Sequence, residues 1–215
     1  MYIYQPDRDL QKKQIAAASS YIKGKVLDVG AGEFTRYKHL FEVNEYIRMD
    51  VTKTENTDVL GSAEDIPFTQ NAFDAVVCTQ VFEHLPNPDK AASEIGRVLK
   101  SGGYCLVTVP QTNELHEEPN DFYRYTNFGL TALFERHGFR IVLLQERGGF
   151  FTLLSQMNIR YLIDRFNLYK RPFWGRIFSR LFWVYSAFAM FLDQIDKSKA
   201  NRKHTMGWLC VLQKK

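Results

Sequence analysis

The sequence predicts an α/β protein: a doubly wound, mostly parallel seven-stranded sheet with a helical segment inserted before the last strand. Three observations carry this. Short apolar runs alternate with helix-periodic segments from residue 25 to residue 146, the pattern of βαβ units in a sheet covered on both faces. The first two runs end in aspartates, one of them followed by closely spaced glycines. The 215 residues are 45% hydrophobic, enough to bury a full core as a single domain over residues 1–215.

Taken in order, Asp7 to about Lys23 reads as a helix, with Leu10, Gln14, Ala17, Ala18 and Tyr21 at helical spacing. KVLDV (25–29) is a short buried strand, FTRYKHLFE is helical, and EYIRMDV (45–51) is a second strand ending in an aspartate. FDAVVCTQ (73–80) is a third. PNPDKAASEIGRVLKSGG is a marked helix: Pro and Asp stand at its start, Ala91, Ile95, Val98 and Leu99 share one face, and Gly102 and Gly103 follow its end. YCLVTVP (104–110) is a strand, FGLTALFERHGF a helix with a C-cap glycine, and RIVLLQE a strand. Two helices broken at Arg171–Pro172 follow, and HTMGWLCVLQKK (204–215) closes the sheet. The chain thus divides into an N-terminal helix or lid (1–24), a core (25–149), a helical insertion (150–203) and a final strand (204–215).

The start, MYIYQPDRDLQKKQ, has no apolar stretch of signal-peptide length. Cys78, Cys105 and Cys210 lie in apolar runs without metal-ligand spacing and read as reduced core residues of a cytoplasmic protein, with no metal site. Charge is uneven: residues 150–215 hold 12 Lys and Arg against 3 Asp and Glu, although the whole chain carries 28 against 24. Phe150 to Phe191 also holds 13 of the chain's 31 aromatic residues. Cationic and aromatic together suggest an anionic or amphiphilic surface.

In an open α/β sheet, ligands bind beyond the carboxyl ends of the strands. Here those ends supply VLDVGAGEF (26–34), Asp50 and the Thr79–Gln80 region. Gly30 and Gly32 let a backbone approach a ligand, and Asp50, about 20 residues after the turn, suits the two hydroxyls of a ribose. The dinucleotide fingerprint needs a third glycine where this chain has Thr35, which argues against NAD, and no Lys-containing phosphate loop is present.

As a set, these motifs resemble the class I S-adenosylmethionine-dependent methyltransferases, in particular the type 11-like group acting on small molecules, lipids and sugars. VLDVGAGEF matches the first motif, IRMD the second, GSAEDIPF the adenine loop, and FDAVVCTQVFEHL with GRVLKSGGYCLVTVP the fourth and fifth strands. The resemblance spans residues 25–110 and, more loosely, DFYRYTNFGLTALFERHGF. It implies a Rossmann-like fold, S-adenosyl-L-methionine as cofactor and methyl transfer as activity. It makes Asp28 an organiser of the glycine loop near the cofactor's amino group, with Gly30, Ala31 and Gly32 facing the methionine part. Asp50 would hold the ribose, Val51 would lie against the adenine, and Thr79, Gln80 and Val81 would border the methionine end. Ser62 stands where the family often has an acid that accepts from the adenine amine; Ser62 Oγ, Glu64 or Asp65, or the Ala63 N–H are the alternatives. Phe34 replaces a further glycine and makes the loop bulkier.

A sulfonium methyl is already electrophilic, so such a protein must align a nucleophile and exclude water, with a general base if the acceptor is a hydroxyl. His84, His116 and Tyr123 are the candidate catalytic residues, with Glu83 and Tyr125 also in range, and Arg124 and Tyr125 the candidate substrate contacts. The plainer readings are a helix-capping His84, a solvated His116 among acids, and tyrosines that pack. The expected function is methyl transfer to a small-molecule, saccharide or lipid-linked acceptor. Two alternatives stand beside it: a nucleic-acid methyltransferase, disfavoured because CTQVFEHL replaces an NPPY-like tetrapeptide, and a non-catalytic cofactor-binding regulator. Residues 150–195 read either as a lid or homodimer interface, or as a peripheral contact through 156–192 with the inner face of a membrane. In the second reading Arg160, Arg165, Lys170, Arg171, Arg176 and Arg180 flank Trp174, Phe178, Phe182 and Trp183. The apolar stretch Leu181 to Leu192 is too short to span a bilayer.

Overall fold

The computed structural model describes residues 2–33 and 37–215. In chain order the elements are α1 (Pro6–Ala17), β1 (Gly24–Val29), β2 (Val43–Asp50), β3 (Val59–Leu60), β4 (Phe73–Thr79), α2 (Pro88–Val98) and β5 (Leu99–Pro110). They continue with α3 (Asn127–Glu135), β6 (Phe139–Glu146), α4 (Phe150–Arg165), α5 (Pro172–Ile195), α6 (Lys199–Arg202) and β7 (Gly207–Lys214). The chain divides into two compact units: a larger one of Lys13–Gln111, Leu115–Gln145 and Trp208–Lys215, and a smaller one of Met1–Lys12, Thr112–Glu114 and Glu146–Gly207.

The seven strands run in the order β3-β2-β1-β4-β5-β7-β6. The pairings among β3, β2, β1, β4 and β5 are parallel. The order reverses between β1 and β4, so a crevice opens beyond their carboxyl ends. Alternate side chains of the central strands feed two cores. Leu27, Val29, Val76 and Cys78 join one with α2 and α3, and Val26, Ala75 and Val77 join the other with Ile15, Ala18 and Ile22. All three cysteines are free and buried.

Local chemistry sets the helix starts. Asn87 accepts the Lys90 N–H at 3.2 Å ahead of Pro88, and Thr126 accepts the Gly129 N–H at 3.1 Å. Three sequence expectations shift. FTRYKHLFE reads as helical; its Phe34, Thr35 and Arg36 lie outside the described residues, and the rest makes only one 3-10 turn, Lys38–Leu40. Phe41 is buried in an extended conformation and ends that turn before a helix can propagate. Gly102 and Gly103 stand inside β5 rather than beyond a helix, because β5 begins at Leu99 opposite Phe73, and the register shifts before Tyr104 meets Ala75. Gly103 is required there by close approach: a Cβ would lie 2.8 Å from the Asp74 carbonyl. The seventh strand is the two-residue β3, too short to leave a periodic signal.

In the smaller unit, Ile3, Tyr4, Ile159, Ile163, Leu168 and Phe182 form a separate core. Asp193 on α5 accepts the N–H groups of Gly149, Phe151 and Thr152 at 2.9–3.1 Å, and Asn201 accepts that of Phe150 at 2.7 Å. The four donors orphaned at the start of α4 are thereby satisfied. Arg147, buried, is paired with Asp7 at 2.8 Å.

Candidate active site

The carboxyl ends of β1 and β2 build one half of the site. Three successive amides of the glycine loop are engaged: Gly30 N and Ala31 N donate to the Met49 carbonyl at 2.9 and 3.1 Å, and Gly32 N donates to Asp50 Oδ2 at 2.9 Å. The other Asp50 oxygen accepts the Thr52 N–H at 2.9 Å, so Asp50 shapes its own turn, and no helix follows it. Gly30, at φ +69°, admits no Cβ, since that atom would fall within contact distance of Val81 Cγ2. Gly32, at φ +66°, has open space where a Cβ would project. Val51, next to Asp50, is 73% exposed.

Asp28 lies beside this notch and accepts a hydrogen bond from Tyr46 Oη at 2.8 Å. Burial pushes its carboxyl up to about 7, against the opposing pull of the Tyr46 hydroxyl and Arg48. Neither residue of this hydrogen bond betrays the pairing in sequence, and Tyr46 was missed.

Beyond β3, Ser62 Oγ accepts the Glu64 N–H at 3.1 Å and Ala63 is buried. Glu64 is engaged elsewhere, accepting the Asn87 N–H at 2.9 Å, which leaves Ser62 and the exposed Asp65 as the nearer polar side chains of this loop. The loop is pinned by residues that sequence reasoning did not select: Arg97 donates to the Phe68 and Ile66 carbonyls at 2.6 and 2.8 Å, and Glu94 accepts the Ile66 N–H at 2.9 Å.

The end of β4 supplies the other half. Thr79 is half-buried. Gln80 adopts φ +55° and is held by bonds from its N–H to the Thr108 carbonyl at 2.9 Å and from its side chain to Thr108 Oγ1 at 3.2 Å. Val81 packs against Gly30, and its carbonyl accepts the His84 N–H at 2.9 Å. The Glu83 carbonyl accepts the N–H groups of Phe122 and Tyr123 at 2.8 and 3.2 Å, which draws the loop after β5 onto this turn.

That docking brings His84 and His116 together, their ring centroids 4.9 Å apart and nearly perpendicular. His84 Nδ1 faces the Asn120 carbonyl at 2.6 Å, so Nδ1 carries a proton, and Nε2 lies 3.8 Å from Glu117 Oε2. His116 Nδ1 faces Asp121 Oδ2 at 3.4 Å. Asp121, also missed, is gripped by both Arg124 terminal nitrogens at 2.6 and 2.8 Å and accepts the His116 N–H at 3.0 Å. Those Arg124 bonds hold its carboxyl well below the usual carboxylate range, so it stays ionised and favours the same tautomer of His116. One donor atom each from Glu83, His84 and His116 lies within 4.8 Å of the others.

The two candidate substrate contacts already have internal partners. Tyr125 is buried and donates to the Phe82 carbonyl at 3.0 Å, with burial raising its phenol far above the usual value. Arg124 donates to both oxygens of Asp121 and to the Tyr123 carbonyl, which orients the loop. Tyr123 is partly exposed, its hydroxyl 3.3 Å from the Pro86 carbonyl.

An open notch at Gly32, two carboxylates beside it and an apolar plate at Val51 fit a nucleoside that carries a cationic amino acid.

Comparison with known proteins agrees with this chemistry. Residues 27–107 match the family model described as a methyltransferase domain. The chain is similar to uncharacterized protein MJ0638 of Methanocaldococcus jannaschii, 33% identical over 126 residues that cover 54% of this chain and 55% of that one. It is 32% identical over 108 residues to the glycine/sarcosine/dimethylglycine N-methyltransferase of Actinopolyspora halophila, covering 42% of this chain and 19% of that one. Among solved structures, it superposes on phosphoethanolamine N-methyltransferase 2 of Haemonchus contortus in complex with S-adenosyl-L-methionine with a TM-score of 0.59 at 17% identity, over 95% of this chain and 52% of that one. The chain spans about half the length of the first of these curated relatives.

Proposed function

We propose, for a chain that belongs through residues 27–107 to the class I S-adenosylmethionine-dependent methyltransferase family, that it transfers the cofactor's methyl group to a small-molecule acceptor, with saccharides and lipid-linked compounds foremost. The cofactor, when bound, supplies an electrophilic methyl on a sulfonium. Asp50 accepts from the ribose hydroxyls while keeping the loop closed through Gly32 N. Val51 covers the adenine, and Asp28, ionised above about pH 7, faces the amino group. Gln80, held in its left-handed conformation, and Val81 wall the reacting end.

His116 acts as general base through Nε2, with Asp121 orienting it and Arg124 holding Asp121; the His84 ring packs edge-on against it. The observation that carries the reading is the single turn joining the halves: Val81 packs on Gly30, and its carbonyl positions His84. The names of the relatives, which act on glycine derivatives and phosphoethanolamine, support a small acceptor in preference to a nucleic acid. Titration calorimetry with S-adenosylmethionine, followed by labelled-methyl transfer to a panel of saccharide and lipid acceptors, tests it. NAD binding without S-adenosylmethionine binding overturns the assignment; cofactor binding with no transfer to any acceptor favours a regulator.

A further inference from the structure

The smaller unit carries an exposed surface that methyl transfer does not use. On α5, Trp174, Ile177, Leu181, Val184, Phe188, Phe191 and Ile195 recur at alternating spacings of three and four and are each 38 to 62% exposed. They form one apolar stripe about 32 Å long. The opposite side of α5 is already committed, with Gly175, Phe182, Ser186 and Ala189 buried. Phe173, Trp183 and Tyr185 on the same helix are exposed as well, as are Met157, Tyr161, Phe166 and Tyr169 on α4 and the turn after it. An exposed apolar stripe of this length marks an interaction site.

Charge selects the occupant. Between Asp164 and Asp193 the chain has no acidic residue, whereas Arg165, Lys170, Arg171, Arg176 and Arg180 are all exposed. A second copy pairing through α5 would bring the same cations and one carboxylate, Asp193, already bonded to the start of α4, while the head groups of an anionic bilayer supply the missing charge. Tryptophan and tyrosine, apolar in body with one polar atom, are the side chains that settle at head-group depth. Among the described residues no helix is long and apolar enough to cross a membrane, so the contact is with one leaflet.

We propose that the exposed face of α5, with the aromatic residues of α4 and the following turn, docks the protein on an anionic lipid surface. The proposal stands apart from the cofactor chemistry, which is read independently by S-adenosylmethionine binding.

The test is flotation of the full chain with phosphatidylglycerol-containing vesicles against pure phosphatidylcholine, at low and molar salt, with tryptophan emission recorded alongside. The expected result is binding to the anionic vesicles alone, weakened by salt, with a blue shift from Trp174 and Trp183. The R176E/R180E variant should lower the partition at least about tenfold, and F188S/F191S should reduce binding and the blue shift, with far-UV dichroism and S-adenosylmethionine binding unchanged in both. Absence of vesicle binding at low salt overturns the proposal. So does binding indifferent to R176E/R180E. A dimer by light scattering that F188S/F191S dissolves, without lipid binding, would identify a second copy as the occupant.

Discussion

Replacing Tyr46 with phenylalanine removes the hydroxyl that stabilises Asp28 in its charged form, at a 2.8 Å hydrogen bond in a half-buried site. A hydrogen bond to a charged group contributes about 1.5–3 kcal/mol. Losing it raises the carboxyl by roughly one to two pH units, from about 7 towards 8 or 9. If ionised Asp28 receives the cofactor's amino group, S-adenosylmethionine affinity in the wild type rises with pH through about 7 and falls again where that amino group loses its proton, at about 8. In Tyr46→Phe the acid limb moves up while the alkaline limb stays, and affinity at pH 7.5 drops roughly 3- to 25-fold. Titration calorimetry at several pH values between 6 and 9 reads both limbs. An acid limb still centred near 7 in the variant would show that Asp28 is not the group that titrates. Stability gives an independent check with a fixed sign: the carboxyl lies above its unfolded value of 3.8, so it favours the fold below about pH 4 and loses that contribution as pH rises towards 7. The unliganded melting temperature should carry a declining component across that window, extending to higher pH at the same one-proton slope in Tyr46→Phe.

Further outcomes follow from the same geometry. Gly30→Ala should cost about 1–3 kcal/mol of backbone strain plus the clash with Val81, whereas Gly32→Ala, equally left-handed but facing open space, should melt less early and yet lose cofactor binding. Thermal denaturation and calorimetry on the pair separate the two effects. His116→Ala should lower turnover by about 10²-fold or more with cofactor affinity unchanged. Asp121→Asn should move the pH–rate profile without abolishing turnover; a flat response in both would remove His116 from the chemistry. Asp7→Ala takes a carboxylate from the buried Arg147 guanidinium and should destabilise by about 3 kcal/mol, read as a lower urea midpoint.

The parallel core was readable because each strand is a short apolar run whose ends carry their own punctuation, Asp28 with Gly30 and Gly32, and Asp50. The proposed cofactor half of the site lies at those ends, within a few residues of the signals themselves. The proposed acceptor half is assembled by distance: His84 and His116 are separated by a complete helix and strand, and they meet because two amides of the loop after β5 bond to one carbonyl at Glu83. No periodicity encodes such a bond. The Arg124 pairing is hidden for a related reason, since an arginine in a polar loop looks the same in sequence whether or not it grips Asp121. Gly102 and Gly103 follow a helical pattern and read as its cap, whereas the demand on Gly103 comes from the neighbouring strand.

The engaged amides of the glycine loop bear on which ligands this crevice refuses. Pyrophosphate-binding turns hold their oxyanions with free main-chain donors. Here the amides of Gly30, Ala31 and Gly32 already donate to Met49 and Asp50, and the side chain nearest the last of them is itself an anion. A phosphorylated nucleotide would have to break internal bonds and approach a like charge to gain a foothold. The identity of residue 35 is therefore not the sole feature set against a dinucleotide, since the amides of Gly30, Ala31 and Gly32 are already spoken for within the chain.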